Sequence, residues 1–468
     1  MKECKMILPK LWLQRIPKYW DAIVPTGYPA TSSEFSQKFE KEEVAVAVKD
    51  MEEKLNTEES IITEEMIPEG RRVGAYLGTY DVKGVAGEEV LISPVEVTSK
   101  DVAVLAFHYN EESADWEKIE DAHIKNGYVY GTVESFSPIS VFTVRRSAYV
   151  LAADVSPLQV ETFVANGNPV TVAPTENGGV VVTCMGEKVE MGSNKCAIVG
   201  GAINESIESS SVYADSVKVD IIIAGSFCDK EQVEPVTMQS AFAEIVNCEV
   251  TAHVIGTGRC CRTEKVTIKM KDTKSAAFGN GRGNLFGKDC NTEDNLNFGA
   301  PQWVKESHIE LDNCEVEIMY IAGMSGLSYS ANANAVINGG KFYYLVAAGS
   351  NGRTDKGTLK VSNAEIKKLM TTNRGTVGEA KMTVIDCNVE ELYICGDSID
   401  KDVTGTIDKV SYDITGGSMN LYAGTNGGIP ITYEDACKIV SAVKISRRSN
   451  VEYKEKADYL LGDIIKIK

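Results

Sequence analysis

The second half of the chain repeats one short pattern of apolar and polar positions. Each copy alternates apolar and polar residues, reaches an Asn, Asp or Gly followed by a small residue, and continues as a second short apolar strand that usually ends in Gly. Alternation with a period of two is typical of β-strands, and frequent glycine disfavours helices. The four clearest copies are 309-IELDNCEVEIMYIAG-323, 335-AVINGGKFYYLVAAG-349, 359-LKVSNAEIKKLMTTN-373 and 382-MTVIDCNVEELYICG-396.

The small residue gives each copy an anchor position, and successive anchors are separated by 23 to 41 residues. A fixed register with variable spacers is expected when coils that cannot bury their apolar face alone stack on one another, with the spacers as loops. We therefore predict a parallel β-helix of eight coils over residues 211–430, with two packed β-sandwiches as the alternative. The anchors are Ser216, Cys248, Thr273, Cys314, Gly340, Ala364, Cys387 and Gly417.

Residues 42–147 alternate strand-like runs with turn signals such as Asn126-Gly127, which predicts an antiparallel β-sandwich. The segments 105-LAFHYNEESADWEKIED-121 and 127-GYVYGTVESFSPISVFTV-144 resemble an immunoglobulin-like module of bacterial and phage surface proteins. That module has a Tyr-x-Glu turn, a Trp-x-Lys strand and a final Phe-Ser-Pro strand, and the resemblance implies a spacer. The strand-like runs are Val44 to Val48 in alternation, 89–97, 102–109, 127–133 and 139–144.

Two further segments flank the repeats. Residues 148–210 are expected to form a linker and a β-helix cap built of hairpins or irregular coils, because a solenoid end must cover its open strands. Residues 431–468 are expected to cap the other end with an amphipathic helix over 432–444, begun by Thr432, and a last strand over 459–468. The residues that share the apolar face of this helix are Ala436, Ile439, Val440 and Val443. The predicted fold class is all-β.

Residues 1–41 form an arm rich in proline and aromatic residues, in which the prolines exclude a long helix. Dense aromatic residues in an extended segment are expected to be buried against something. Two interpretations remain open: the arm packs on the next domain of its own chain, or it is a docking peptide for a partner protein. The anchoring residues in the second case are Trp12, Arg15, Tyr19, Trp20 and Tyr28.

The formal net charge of −19 argues against a nucleic-acid-binding role. No apolar run is long enough to span a bilayer, and Pro9 and Lys10 interrupt the first one, so we expect neither membrane insertion nor a secretory signal. Cys248, Cys314 and Cys387 share one repeat position with other small residues, which indicates free structural thiols. The adjacent pair 260–261 lacks zinc-ligand spacing, so no metal and no cofactor are predicted.

Enzymatic chemistry receives little support from the sequence. A polysaccharide-cleaving β-helix needs two carboxylates at a defined separation, and the candidates lie near one edge of the repeats. The loop 397–405 could chelate calcium, although its spacing is not that of a tandem calcium repeat. The four scattered histidines accompany no nucleophile motif, and we predict no catalytic residues. The carboxylate candidates are Asp386, expected to be structural at a turn, and Asp397, Asp400 and Asp402.

The spacers after the closing glycine are the informative insertions. If the coils stack in register, spacers 279–303, 324–335, 350–357 and 396–405 emerge on one side of the solenoid. Aromatic residues on such loops suit contact with a glycan or a protein. An equal alternative is that they fold over the coil edge or lie in an oligomer interface. The predicted receptor contacts are Phe286, Phe298, Trp303 and Tyr329.

The order of arm, immunoglobulin-like spacer and β-helix with reduced cysteines resembles the fibre and spike proteins of tailed bacteriophages. The head fibres of crAss-like phages of gut Bacteroides are the nearest comparison. The resemblance implies a structural virion protein, assembled in the host cytoplasm, that is anchored to other virion proteins through its arm. It also implies a homo-oligomer, preferably a trimer, that contacts a host glycan or surface and is not an enzyme. A polysaccharide depolymerase and a bacterial surface adhesin remain the alternatives.

Overall fold

A computed structural model describes the fold of the chain. The contacts between residues divide the chain into two compact units, Met1–Tyr149 and Val150–Lys468. The structure describes residues 22–23, 34–55, 57, 59–68, 70–83, 86–97, 103–133, 138–191, 195–229, 235–281, 302–324, 328–350, 352–373, 375–394, 406–422, 433–446 and 449–452.

The first unit is a small antiparallel β-sandwich. One sheet has five strands in the order β2-β3-β10-β6-β7, a second has three in the order β4-β9-β8, and β1 pairs with β5. The strands are β1 (Ala22–Ile23), β2 (Glu34–Ser36), β3 (Arg71–Lys83), β4 (Glu89–Ser93), β5 (Glu96–Val97), β6 (Ala103–Asn110), β7 (Asp115–Lys118), β8 (His123–Lys125), β9 (Tyr128–Thr132) and β10 (Pro138–Arg146). Two antiparallel sheets enclose one apolar core, which includes Leu77, Ile92 and Val141. This is the predicted sandwich architecture.

The segment that resembles the surface-protein module forms a hairpin in this unit. Strand β6 pairs with β7 through a turn at residues 111–114, and the rings of Tyr109 and Trp116 lie 5.4 Å apart across the pair. The Phe-Ser-Pro run leads into β10, which pairs with both β3 and β6 at the centre of the sheet. The strands predicted over 102–109 and 139–144 are therefore confirmed.

The alternating valines at the start of this unit form a helix, so the prediction of a strand there was wrong. Helix α1 (Glu42–Lys54) buries Val44, Val48 and Met51, whereas Val46 is 61 % exposed. The buried residues follow spacings of three and four, which place them on one face of a helix. Met51 belongs to a second core cluster with Tyr76 and Phe107 of the five-stranded sheet. The helix forms here because its buried residues pack against one face of the five-stranded sheet.

The second unit is a parallel β-helix of two long sheets. Each sheet contains twelve strands, and most neighbours pair in parallel with a partner from the next coil. The strands are β11 (Tyr149–Leu151), β12 (Glu161–Val164), β13 (Val170–Pro174), β14 (Val180–Cys184), β15 (Glu187–Met191), β16 (Cys196–Val199), β17 (Ser209–Asp215), β18 (Lys218–Ile223), β19 (Val236–Val246), β20 (Glu249–Thr257), β21 (Cys261–Lys271), β22 (Lys274–Gly281), β23 (Gln302–Asp312), β24 (Glu315–Gly323), β25 (Ser328–Asn338), β26 (Lys341–Val346), β27 (Arg353–Ser362), β28 (Glu365–Met370), β29 (Thr376–Ile385), β30 (Asn388–Tyr393), β31 (Ile407–Thr415), β32 (Ser418–Tyr422), β33 (Val440–Ile445) and β34 (Asn450–Glu452).

Each coil contributes one strand to each sheet. The sheet that we call the odd sheet contains β13, β17 and then every odd strand to β33, and the even sheet contains β16 and every even strand to β34. The predicted eight coils run from β17/β18 to β31/β32. The coil before them carries an antiparallel hairpin, β14–β15, on the odd sheet, which confirms the hairpin expected in 178–191. The coil after them is the pair β33/β34, so pairing extends beyond the predicted repeats at both ends.

The predicted anchors lie on successive rungs, at the tight corner where the odd sheet turns into the even sheet. The amide of Lys341 donates to the carbonyl of Cys314, that of Glu365 to Gly340, and each further coil repeats this bond. The residue before each anchor has a positive φ, from 47° at Asp272 to 69° at Gly416. Such a backbone favours Asn, Asp and Gly, which explains the sequence pattern.

In one coil the anchor lies one residue further along the chain than predicted. Ser216 has a φ of 57° and occupies the left-handed position, and its amide bonds to Val246 just as Asn247 bonds to Lys271. The anchor of that coil is therefore Val217, which is buried and whose carbonyl accepts from the amide of Glu249. The prediction chose Ser216 because serine is as small as the other anchor residues. Serine seldom adopts the left-handed backbone conformation that Ser216 has here.

The variable spacers lie at the other corner, where the even sheet returns to the odd sheet. Two of them are shorter than predicted, because 328–335 belong to β25 and 353–357 belong to β27. Strand β22 ends at Gly281 and β23 begins at Gln302, while β30 ends at Tyr393 and β31 begins at Ile407. The tight corner, by contrast, keeps two residues in each of these coils. Insertions are therefore confined to one corner, as the stacked register predicted, although most residues of the long spacers lie outside the described part of the chain.

The C-terminal helix is shorter than predicted. Helix α2 (Tyr433–Ile439) ends where strand β33 begins, and Val440 and Val443 belong to the strand instead of to a helical face. Strand β33 pairs in parallel with β31, so the open edge of the odd sheet determined its conformation. Thr432 and the strand expected over 459–468 lie outside the described residues.

Candidate functional site

Two of the predicted receptor contacts lie next to each other on the odd sheet. Trp303 is the second residue of β23 and Tyr329 is the second residue of β25, and the two are direct partners across the parallel pair. Their rings are stacked, with centroids 6.2 Å apart and an interplanar angle of 11°. Phe286 and Phe298 lie outside the described residues, as do the arm residues Trp12, Arg15, Tyr19, Trp20 and Tyr28.

Arginines extend this stack on both sides into an arginine–aromatic ladder of Arg262, Trp303, Tyr329 and Arg353. These four residues lie on four successive rungs. The Arg262 guanidinium lies 5.4 Å from the centroid of the Trp303 ring, and that of Arg353 lies 5.9 Å from the centroid of Tyr329. Asp355 closes the ladder, because Arg353 donates to it at 2.9 Å and the Tyr329 hydroxyl donates to it as well.

The ladder explains three pKa shifts at this corner, and hydrogen bonding to Asp355 raises the pKa of Arg353. Hydrogen bonding to Asp355 raises the pKa of Tyr329. Partial burial acts to raise the pKa of Asp355, but hydrogen bonds from Tyr329 and Arg353 outweigh it, and the pKa of Asp355 is lowered. Each ring face that points along the solenoid is covered by the next rung. The described contacts of Trp303 and Tyr329 therefore stabilise the stack, and both residues are partly exposed.

A long concave surface of the β-helix lies elsewhere, beside the tight corner on the even sheet. We call it the axial groove. It has a volume of 910 Å³ and crosses eight rungs, from β20 to β34. On each strand the first residue and the third point outward, and the second points into the core. The floor consists of second-position residues such as Val316, Phe342 and Ile366, which are 2–3 % exposed.

The first positions form one column along the groove. Their charges alternate over the first six rungs and are then replaced by uncharged polar residues. Three ion pairs bridge neighbouring rungs, at 2.6 Å for Lys218–Glu249, 2.9 Å for Lys274–Glu315 and 3.1 Å for Lys341–Glu365. The column is Lys218, Glu249, Lys274, Glu315, Lys341, Glu365, Asn388, Ser418 and Asn450.

The third positions form a second column that contains the exposed aromatic residue of the groove. Tyr343 is 41 % exposed, and the Lys367 ammonium lies 4.3 Å from the centroid of its ring. Further along, the Asn420 amide donates to the backbone carbonyl of Glu390 at 2.6 Å. The groove therefore combines one aromatic ring, on β26, with amide and hydroxyl groups on the later rungs that can both donate and accept hydrogen bonds.

The sequence indicated only part of this site. The residues that follow the anchors are polar in the sequence, and in the structure Lys368 and Glu391 are direct partners on neighbouring rungs. The groove was missed, because its concavity depends on how strand directions change beside the corner. The signal that could have indicated it is the change, in one column, from alternating charges to Asn388, Ser418 and Asn450.

The other candidates of the sequence have structural positions or lie outside the described residues. Asp386 has a φ of 49° and occupies the left-handed position of its corner, as expected of a turn residue. Asp397, Asp400 and Asp402 lie in a part of the chain that the structure does not describe. Cys260 and Cys261 are buried, and the described residues contain no group of His, Cys, Asp and Glu that could hold a metal ion.

Comparison with known proteins provides no family assignment for this chain. Among the described residues, neither helix is long and apolar enough to cross a membrane. No protein-family model, no curated protein and no solved structure matches this chain.

Proposed function

We propose that this chain is a structural protein of a bacteriophage particle that displays its β-helix for contact with a host surface. The observation that carries the proposal is the axial groove, which runs across eight rungs of a parallel β-helix. A β-sandwich unit and a long parallel β-helix in one chain are also the architecture of phage fibre and spike proteins. This second argument is an analogy of fold, so the function depends on the groove.

The groove favours binding over cleavage. Glycoside hydrolysis needs two carboxyl groups in different protonation states flanking one bond. In the first-position column, Glu249, Glu315 and Glu365 instead accept from lysines of neighbouring rungs at 2.6–3.1 Å. Carboxylates held in this way are paired with lysines and order the wall of the groove. A display protein requires this kind of surface, and we propose no catalytic residue.

Attachment to the particle is assigned to the arm, residues 1–41. Its tryptophans, tyrosines and arginine are the residue types that dominate protein interfaces. We propose that they bind other virion proteins and that the chain closes into a homo-oligomer, with a trimer preferred. The anchoring residues of this proposal are Trp12, Arg15, Tyr19, Trp20 and Tyr28.

Mass spectrometry of purified phage particles tests the proposed location. The chain is expected in particles at a stoichiometry comparable to other minor structural proteins, and immunogold labelling with antibodies to the β-helix should mark intact virions. A variant that lacks residues 1–21, which precede the first described strand, should fold but fail to enter particles. Absence of the full-length chain from purified particles would refute the virion role.

A glycan-release assay separates display from depolymerisation. Purified full-length protein is incubated with host capsular polysaccharide, and released oligosaccharides are measured by chromatography. We expect none. Release that is abolished by Asp397→Asn or Asp400→Asn would replace the display role with the enzymatic alternative.

A further inference from the structure

The axial groove has a chemistry that selects a class of ligand. It contains five carboxylates and three ammonium groups, on a chain whose formal net charge is −19. A polyanion such as a nucleic acid would be repelled by this balance, since its binding depends on neutralising phosphates with Lys and Arg. Most of the charges also lie on the rungs before Asn388, where ion pairs between neighbouring rungs already satisfy several of them. The groove is therefore unsuited to a strongly charged ligand of either sign.

The later rungs present uncharged hydrogen-bonding groups. Asn388, Ser418 and Asn450 occupy the first positions of three successive rungs and are exposed. The Ser418 hydroxyl donates to the Asn388 amide oxygen at 3.1 Å, which orients that amide. An amide both donates and accepts, as does a sugar hydroxyl, so a row of such groups matches a polymer rich in hydroxyls.

An aromatic ring lies in the adjacent column, two rungs before Asn388. Tyr343 is 41 % exposed in the groove, and Lys367 lies against one side of its ring. The ring provides apolar surface for the C–H face of a sugar ring, and its hydroxyl provides a further hydrogen bond. The groove is less suited to a protein partner. Protein–protein interfaces depend on desolvated apolar anchors, and the apolar floor residues Phe342 and Ile366 are only 2–3 % exposed.

The spacing of the rungs adds a length requirement. Strands of a sheet lie ~4.8 Å apart, so eight rungs span roughly 34 Å along the groove. A ligand that uses the repeated polar positions must therefore be extended and must continue over several units. A single sugar would engage only one or two rungs.

We propose that the axial groove binds an uncharged, extended glycan chain, with Tyr343 in contact with a sugar ring and the amides of Asn388 and Asn420 bonded to hydroxyls. The inference rests on the proposed role in surface contact, since it names the class of molecule that this surface recognises. It requires no covalent step and no cofactor.

Titration calorimetry of the purified full-length protein tests the inference. The probes are cello-, xylo-, manno- and chito-oligosaccharides of two to eight units, with heparin as the charged comparator. At least one neutral series should bind, and its affinity should rise with length up to about six units. Tyr343→Ala and the double variant Asn388→Ala/Asn420→Ala should each weaken binding about tenfold, which corresponds to about 1.4 kcal/mol.

Tyr213→Ala is the matched control. Tyr213 lies on the odd sheet and is 42 % exposed, so its removal deletes a ring of equal exposure away from the groove. Its affinity should stay within about twofold of the parent protein, because a surface residue outside the site makes no contact with the ligand. Circular dichroism spectra that match the parent protein would confirm that each variant is folded.

Three results would overturn the inference: no binding by any neutral series, heparin binding as tight as the best neutral glycan, or unchanged affinity in Tyr343→Ala. The outcome is separate from that of the proposed function. A chain found in particles that binds none of the neutral glycans refutes the groove inference alone. A chain that binds a neutral glycan but is absent from particles refutes the virion role alone.

Discussion

Replacing Gly340 with alanine should destabilise the β-helix more than the same change at its neighbour Gly339. Both residues lie at one tight corner and have positive φ values, 94° at Gly340 and 69° at Gly339. A Cβ atom at position 340 would lie 2.1 Å from the carbonyl oxygen of Cys314 on the adjacent rung, whereas at position 339 the nearest atom would be 3.7 Å away. Gly339→Ala therefore isolates the backbone strain, and Gly340→Ala adds a collision with the next coil.

The two contributions can be estimated separately. An alanine in the left-handed region costs roughly 1–2 kcal/mol, so Gly339→Ala should cost about that amount. The collision at position 340 forces the rungs apart and breaks the hydrogen bond from the Lys341 amide to the Cys314 carbonyl, which is 2.9 Å long. An unmade buried bond costs about 1–3 kcal/mol, so Gly340→Ala should cost about 2–5 kcal/mol in all. Gly339→Asn should cost less than about 1 kcal/mol, because asparagine tolerates this conformation.

Hydrogen exchange measured by mass spectrometry is the appropriate assay, because the chain has two units and a single unfolding transition is not expected. Peptides that cover β24 and β26 should exchange fastest in Gly340→Ala, more slowly in Gly339→Ala and close to the parent rate in Gly339→Asn. Peptides from the β-sandwich unit provide an internal control and should not change. Equal protection of β24 and β26 in Gly339→Ala and Gly340→Ala would refute the argument that stacked anchors determine this corner.

Three further predictions concern other parts of the chain. Val48→Lys should destabilise the β-sandwich unit by about 2 kcal/mol or more in urea unfolding, and Val46→Lys by less than about 0.5 kcal/mol, because only Val48 is buried; equal losses would contradict helix α1. Burial raises the pKa of Cys314 from 9.0 to about 11, so this thiol should stabilise the fold below pH 9 and lose that contribution as the pH rises through 11. Alkylation of Cys314 at pH 8 should therefore be slow until denaturant is added. Rapid alkylation of the native protein would contradict this prediction. A double-mutant cycle of Trp303→Ala and Tyr329→Ala should give a coupling energy of about 0.5–1.5 kcal/mol in thermal unfolding, and a value near zero would show that the stacked rings contribute nothing.

The prediction of coils succeeded because it depended on a local requirement that recurs. Each tight corner needs a residue that tolerates positive φ and then a residue small enough for the next rung, and both needs are visible in Asn313-Cys314 and Gly339-Gly340. The register was off by one only at Ser216, where the pattern is weakest. The alternating valines near Val46 gave the wrong element, because a period of two over five residues also fits one side of a short helix when a sheet face is available to cover it.

The sequence by itself determined the repeat, the all-β class, the anchors and the free cysteines, since these follow from backbone conformation and side-chain size at each corner. Only the tertiary structure decided which polar residues share a surface. Tyr343 and Asn420 are 77 positions apart in the chain but line one groove, and Trp303 lies against Tyr329 because β23 and β25 pair in register. The physical reason is that stacking fixes the lateral position of every outward side chain on the rungs, whereas a linear pattern records only whether a residue points in or out.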